Sequence, residues 1–315
     1  MKKGTKLGLL GLAAGVGAAG SLAAVGNTLY NQIMVPVPRN PALDEKEPPL
    51  QQEGRRWARQ GTGFQSAAIQ SVDGLSLWAA VLPAREQSHR WAICVHGFKD
   101  DHSAMGPWGL RYHEAGWNVL MPDQRGYGNS EGEYIGWGFD ERLDLVAWIS
   151  WVIRRDSQAE ILLHGVSMGA ATVLMATGGA LPKNVKAAVS DCSYATIEGE
   201  MRHVAEDFRK KNRIPPVPTT MIFSILRQTV LRRAGFDLRD ASPLEAVERS
   251  KTPTLFIHGV KDELVPSAMM GKLFQAAKCP KSFLWVPGAG HAVSLGTDPE
   301  LYWSTVDTFV SSYFN

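Results

Sequence analysis

Short apolar runs alternate with stripes of apolar residues at helical spacing along most of this chain, and few architectures accept that pattern. The runs are residues 91–95, 118–121, 161–163, 185–189, 254–257 and 283–286. They have strand length rather than helix length. Between them Leu145, Ile149 and Val152, and later Met270, Leu273, Phe274 and Ala277, recur at intervals of three and four, which puts each set on one helix face. Strand and helix in alternation imply βαβ units, hence an α/β fold with a mostly parallel sheet and helices on both faces. Residues 64–70 and 75–81 read as two further strands joined around Asp73-Gly74, a hairpin signal. The interval 193–251 is far longer than one crossover needs, so it reads as an inserted helical cap. Met201, Val204, Ala205 and Phe208 form one amphipathic stripe there, and Ile222, Ile225, Leu226, Thr229 and Val230 another, with Pro215, Pro216 and Pro218 breaking the chain between them.

Composition removes several alternatives. Of 315 residues 44% are hydrophobic, and Gly (31) and Pro (18) together stay below the roughly 25–30% of low-complexity chains. Lys plus Arg (33) nearly balance Asp plus Glu (31), without the basic excess that nucleic-acid binding rests on. The three cysteines, Cys94, Cys192 and Cys279, are widely spaced and form no CxxC pair, which argues against a disulfide framework and a cysteine metal site. The glycines of residues 123–130 form no GxGxxG or Walker pattern, so that loop is not read as a phosphate cradle.

At the N-terminus Lys2, Lys3 and Lys6 precede an apolar stretch, residues 7–25. Nineteen residues at roughly 1.5 Å each span about 28 Å, near the roughly 30 Å hydrocarbon core of a bilayer. Residues 1–30 therefore read as a membrane anchor or signal segment. The leading lysines place the remainder outside the cell, as a single-pass protein or, if the segment is cleaved, a secreted one. Residues 31–63, with Pro36, Pro38, Pro41, Pro48 and Pro49, suggest a polar linker or a stretch draped on the domain, and residues 64–315 the main domain.

Gly165-Val166-Ser167-Met168-Gly169 sits where a strand must turn sharply into a helix, which is the context of a nucleophile elbow. A serine hydroxyl is a weak nucleophile at neutral pH, so it needs a histidine base, and the base needs a carboxylate to orient it. His291, in the glycine-containing loop after the last strand, is the candidate base. Asp262, in the loop after residues 254–257, is the candidate acid, with Asp191 after residues 185–189 as the alternative and Glu263 behind it. Backbone N–H groups of Phe98, after His96-Gly97 at a strand end, and of Met168 are the candidate oxyanion donors. His164 and His258, each beside a glycine at a strand end, read as structural. Residues 123–130 read as a structured turn.

With these motifs in hand, the chain resembles an α/β-hydrolase of the bacterial membrane-anchored or secreted kind, near the serine aminopeptidase-like branch. The resemblance rests on His96-Gly97, residues 123–130, 165–169 and 258–266, and Gly290-His291. It implies an eight-stranded sheet, no cofactor or metal, and hydrolysis of a small-molecule acyl substrate through an acyl-enzyme formed on Ser167. Ester cleavage is the first expectation. Peptide or amide cleavage by the same residues, and a non-catalytic binding protein on the same fold, are the alternatives.

Overall fold

The computed structural model describes residues 22–213 and 219–314. Its strands are β1 (Gln65–Gln70), β2 (Ser76–Leu82), β3 (Arg90–Val95), β4 (Asn118–Pro122), β5 (Glu160–Val166), β6 (Val185–Asp191), β7 (Thr254–Gly259) and β8 (Lys281–Val286). The described helices are α1 (Leu22–Ile33), α2 (Pro49–Gln60), α3 (Gly106–Glu114), α4 (Glu141–Arg155), α5 (Met168–Thr177), α6 (Ile197–Lys211), α7 (Thr219–Arg233), α8 (Pro243–Val247), α9 (Ala268–Ala276), α10 (Ser294–Thr297) and α11 (Pro299–Ser311).

Every segment that the sequence marks as a strand is one, and all eight join a single sheet in the order β1-β2-β4-β3-β5-β6-β7-β8. β2 runs antiparallel to both its neighbours, and every other pairing is parallel. Successive side chains of a strand point to opposite faces, and β3 makes the division visible. Trp91, Ile93 and Val95 pack with Leu145, Trp148 and Val152 of α4. Ala92 and Cys94 pack instead with Trp108 and Tyr112 of α3 and with Tyr302 and Phe309 of α11. Both faces are thus covered, which is why the strands are apolar throughout. Trp148 is 1% exposed at the centre of its layer, so truncating it to alanine should cost about 3–5 kcal/mol. Because the central strands are parallel, the loops after β3, β5, β6, β7 and β8 all open at one edge of the sheet.

Between β6 and β7 the chain leaves the sheet through α6 and α7 and returns through α8. The prolines between α6 and α7 lie outside the described residues. So does most of the apolar segment 7–25, whose last four residues begin α1. Among the described residues no helix is long and apolar enough to cross a membrane. α1 packs on α7, crossing it so closely that a Cβ on Gly26 would lie 2.2 Å from Thr229 Oγ1. Leu29, Tyr30 and Ile33 then share one apolar cluster with Phe223, Leu226 and Val230, and the Arg233 guanidinium covers the Tyr30 ring at 3.9 Å.

The proline-containing stretch after α1 carries a helix that the sequence reading did not mark. Pro49 is tolerated in α2 because it occupies the first turn, where an N–H has no intrahelical acceptor. Arg55 of α2, 3% exposed, binds Asp100 at 2.7 Å and Glu47 at 2.6 Å. Gln51 donates to the Ala292 carbonyl at 2.9 Å. The stretch therefore lies against the sheet domain, and it touches the loop that carries His291.

Candidate active site

β5 gives way to α5 at a single residue, Ser167, with φ 56° and ψ −119°. An L-residue reaches that region only under strain of order 1–3 kcal/mol, which its surroundings must impose. They do so through a 2.8 Å hydrogen bond from the Ser167 N–H to the Asp191 carbonyl and through the two flanking glycines. A Cβ on Gly165 would lie 2.3 Å from the Gly169 carbonyl oxygen, and one on Gly169 would lie 2.1 Å from that of Val95. Only glycines let strand, turn and helix pack this closely, and the result is a hydroxyl held at the sheet edge.

The loops after β5, β7 and β8 bring Ser167, Asp262 and His291 together. His291 Nε2 lies 2.9 Å from Ser167 Oγ, and its Nδ1 lies 2.8 Å from Asp262 Oδ2. An ionised carboxylate only accepts, so Nδ1 carries the proton and Nε2 offers its lone pair to the serine O–H.

Asp262 is enclosed by donors. Its Oδ1 accepts from the backbone N–H groups of Leu264 at 3.0 Å and Val265 at 2.9 Å. Its Oδ2 accepts from His291 and also faces His258 Nε2 at 3.2 Å. Burial acts to raise its pKa. The hydrogen bonds from His258 and His291, the His291 charge and the Val265 N–H outweigh burial and hold the carboxyl well below the usual carboxylate range.

The sequence marks His258 as a structural histidine, and the structure sets its ring against the candidate acid as well. The ring is fully buried and its Nε2 also faces the Val265 carbonyl at 2.9 Å, so that nitrogen carries the proton and donates to both oxygens. His164 remains structural, bonded to the Tyr112 and Tyr302 hydroxyls, with burial lowering its pKa to about 3. Asp191, the alternative acid, lies fully buried beneath the site. It accepts from Tyr302 at 3.0 Å, and no hydrogen bond joins it to His291 among the described residues. Burial raises its pKa to about 6. Glu263 points outward, its side chain 85% exposed.

Cys192, Asp262 and His291 present possible metal-ligand atoms within 4.8 Å of one another. As a metal site the set fits poorly. The imidazole and carboxylate are committed to each other, and burial pushes the Cys192 thiol well up, keeping it protonated.

Phe98 and Met168 both line the cavity in front of Ser167. Met168 is the first residue of α5, so its N–H has no intrahelical acceptor. Gly97 brings the end of β3 close, since a Cβ there would lie 3.3 Å from that of Ser167. This strand end is braced in a way the motifs did not disclose. His96 Nδ1 donates to the Gly97 carbonyl at 2.8 Å, and its Nε2 accepts from the Gln124 N–H at 2.9 Å. The Gln124 side chain in turn bonds the His96 carbonyl at 2.6 Å and the Thr172 hydroxyl of α5 at 3.0 Å.

The cavity itself encloses about 780 Å³, open to solvent, between the sheet edge and helices α1 and α6. Its wall is largely apolar, from Ile33, Phe98, Ile197, Met201, Val204 and Val265. Glu200 of α6 also faces it. That residue is 7% exposed, and its carboxyl is raised to about 8, by burial first and by the Asp262 charge second.

Residues 93–222 match the family model described as alpha/beta hydrolase fold. The chain is 28% identical over 200 residues to the protein YqkD of Bacillus subtilis (strain 168), described there as uncharacterized; the match covers 63% of this chain and 64% of YqkD, less than two thirds of its length. It is 26% identical over 246 residues to YfhR of Escherichia coli (strain K12), covering 75% and 74% of the two chains. Among solved structures, an esterase of Pyrococcus furiosus, Pf2001, superposes with TM-score 0.64 at 22% identity, over 82% of this chain and 94% of that one. An acetyl xylan esterase from Paenibacillus sp. R4 does so with TM-score 0.59 at 15% identity, over 88% and 100%.

Proposed function

We propose that this chain, whose fold is that of the α/β-hydrolases, is a serine hydrolase that cleaves carboxylic esters through an acyl-enzyme. One observation carries the reading: the unbroken line from Ser167 Oγ to His291 Nε2, 2.9 Å, and from His291 Nδ1 to Asp262 Oδ2, 2.8 Å. Ser167 Oγ attacks the ester carbonyl carbon while His291 Nε2 takes the hydroxyl proton. The carbonyl π electrons move to oxygen, and the N–H groups of Phe98 and Met168 hold that oxyanion, each donor worth about 2.7–4 kcal/mol. When the intermediate collapses, the imidazolium gives its proton to the departing alkoxide. Water then repeats the sequence on the acyl-serine and releases the carboxylic acid. Asp262 keeps its charge throughout, fixing the histidine tautomer and offsetting the imidazolium. The cavity in front of Ser167 favours a small-molecule acyl substrate.

Ser167→Ala tests this directly. Turnover of an ester panel should fall by about 10⁶, and labelling by a fluorophosphonate probe should vanish, while the circular dichroism spectrum is unchanged. Retained turnover in a pure sample refutes the assignment. Aminoacyl amides in the same panel decide between esterase and amidase, because the two differ only in the leaving group.

In this reading residues 64–315 are the hydrolase domain, 193–251 its cap and 31–63 the connecting stretch. The apolar stretch within residues 1–30 is read as a membrane anchor with the catalytic part outside, or as a signal cleaved to release it, in either case ending before Leu29 and Tyr30, which α1 packs against α7. The length and flanking lysines of the apolar segment support the anchor. A relative from Saccharomyces cerevisiae, YNL320W, is itself described as a membrane protein. We read the chain as the bacterial membrane-anchored or secreted kind of hydrolase near the serine aminopeptidase-like branch, and relatives in Bacillus subtilis and Escherichia coli support the bacterial part of that reading.

A further inference from the structure

Three residues that line the cavity each carry a buried polar atom without a hydrogen-bond partner among the described residues: Glu200 Oε2 on α6, Gln32 Oε1 on α1 and Trp137 Nε1 on the loop before α4. They come from three separate parts of the chain. None is an accident of a loose surface loop. Glu200 is more than nine-tenths buried. Trp137 is held by stacking on Phe98, centroids 4.7 Å apart, and by a 2.6 Å bond from the Tyr194 hydroxyl to its carbonyl.

We propose that these three groups form a subsite for a hydroxyl carried by the acyl group of the substrate, so that the cavity selects hydroxyacyl esters over plain hydrocarbon ones. The inference rests on the hydrolase reading above and names the substrate class of that same site. A hydrocarbon chain filling the cavity would leave all three atoms unpaired, and leaving buried polar groups unpaired is costly. Sites that carry such groups reject ligands lacking the matching one far more strongly than apolar pockets reject an extra methylene. A hydroxyl donates once and accepts twice, so it matches in kind the amide oxygen, the carboxyl and the indole N–H.

The alternative of a cationic amine fits less well. Lys99 stands on the same wall, its Nζ 4.9 Å over the Phe98 ring, with no carboxylate paired to it among the described residues. A second cation would meet its charge. The Glu200 carboxyl, raised to about 8, is uncharged at neutral pH and so both donates and accepts.

Matched 4-nitrophenyl esters of graded acyl length, with and without a hydroxyl on the chain, test the proposal on the full-length protein. At the best length the hydroxyacyl ester should have a kcat/KM roughly tenfold or more above its plain partner. Glu200→Leu and Gln32→Leu should bring that ratio to about one by speeding the plain ester, whereas Glu200→Gln, which still hydrogen-bonds, should keep most of it. A second readout needs no turnover: calorimetric binding of the corresponding hydroxylated and plain primary amides to Ser167→Ala. If no ester is turned over but the hydroxylated amides bind preferentially and lose that preference in the Glu200→Leu background, the subsite stands and the hydrolase reading falls. Turnover with no preference at any length does the reverse. Absence of preference in both readouts, or a preference untouched by both leucine variants, overturns the subsite.

Discussion

Asp262 and Glu200 are both buried carboxyl groups beside the same cavity, and they are kept in opposite protonation states. Around Asp262 two backbone N–H groups and two imidazoles supply a donor for each lone pair that matters. Around Glu200 one oxygen has no partner at all among the described residues, and the charge of Asp262 acts on it with the same sign as burial. Burial pushes both pKa values up. Only the first group has donors enough to reverse the push. Hydrogen-bond count, not depth, decides which carboxyl is an anion.

Removing the anion should have the largest effect. Asp262→Asn inverts the hydrogen-bonding demand on His291 Nδ1, and kcat should drop by up to about 10⁴, measured on any ester the wild type accepts. Taking away one donor sharpens the contrast: His258→Leu keeps volume but removes an N–H, and kcat should fall roughly tenfold. A depressed Asp contributes stability above its unfolded pKa that is lost as pH falls through the folded value. Raising that folded value by deleting a donor should therefore move acid unfolding, followed by fluorescence, to higher pH.

The opposite sign is expected at Glu200. Between the ordinary value of 4.5 and about 8 the native protein holds a proton that the unfolded chain releases, so stability falls as pH rises through that window and is level above it. Glu200→Gln removes the slope, with a gain of a few kcal/mol at most near pH 9, read by urea denaturation at several pH values. Asp191→Asn should do least to catalysis, leaving kcat within about threefold. A loss near that of Asp262→Asn would mean that the alternative acid is the working one.

Much of this was legible beforehand. The eight strands could be read because a parallel sheet covered on both faces demands short uninterrupted apolar runs, and those are local features. Ser167, His291 and Asp262 could be picked out because their glycines and strand ends are local too. His258 could not, since His164 stands in the same position at its own strand end and differs only in what the fold brings beside it. Glu200 left a faint signal. It lies four residues before Val204, on the apolar stripe of α6, where a solvated glutamate does not belong. The packing of α1 on α7 left none, because it joins segments about two hundred residues apart in sequence.

That packing has a practical consequence at the bench. Ile33 and Gln32 belong to the cavity wall, yet they sit at the end of a segment that looks disposable, next to the apolar leader that anyone seeking a better-behaved protein would cut away. A version shortened to start at Val35 would lose one side of its mouth and leave Phe223, Leu226 and Val230 of α7 wet, an adhesive stripe that invites aggregation. Substrate profiles gathered on such a version would describe a wider, stickier catalyst than the one this sequence encodes.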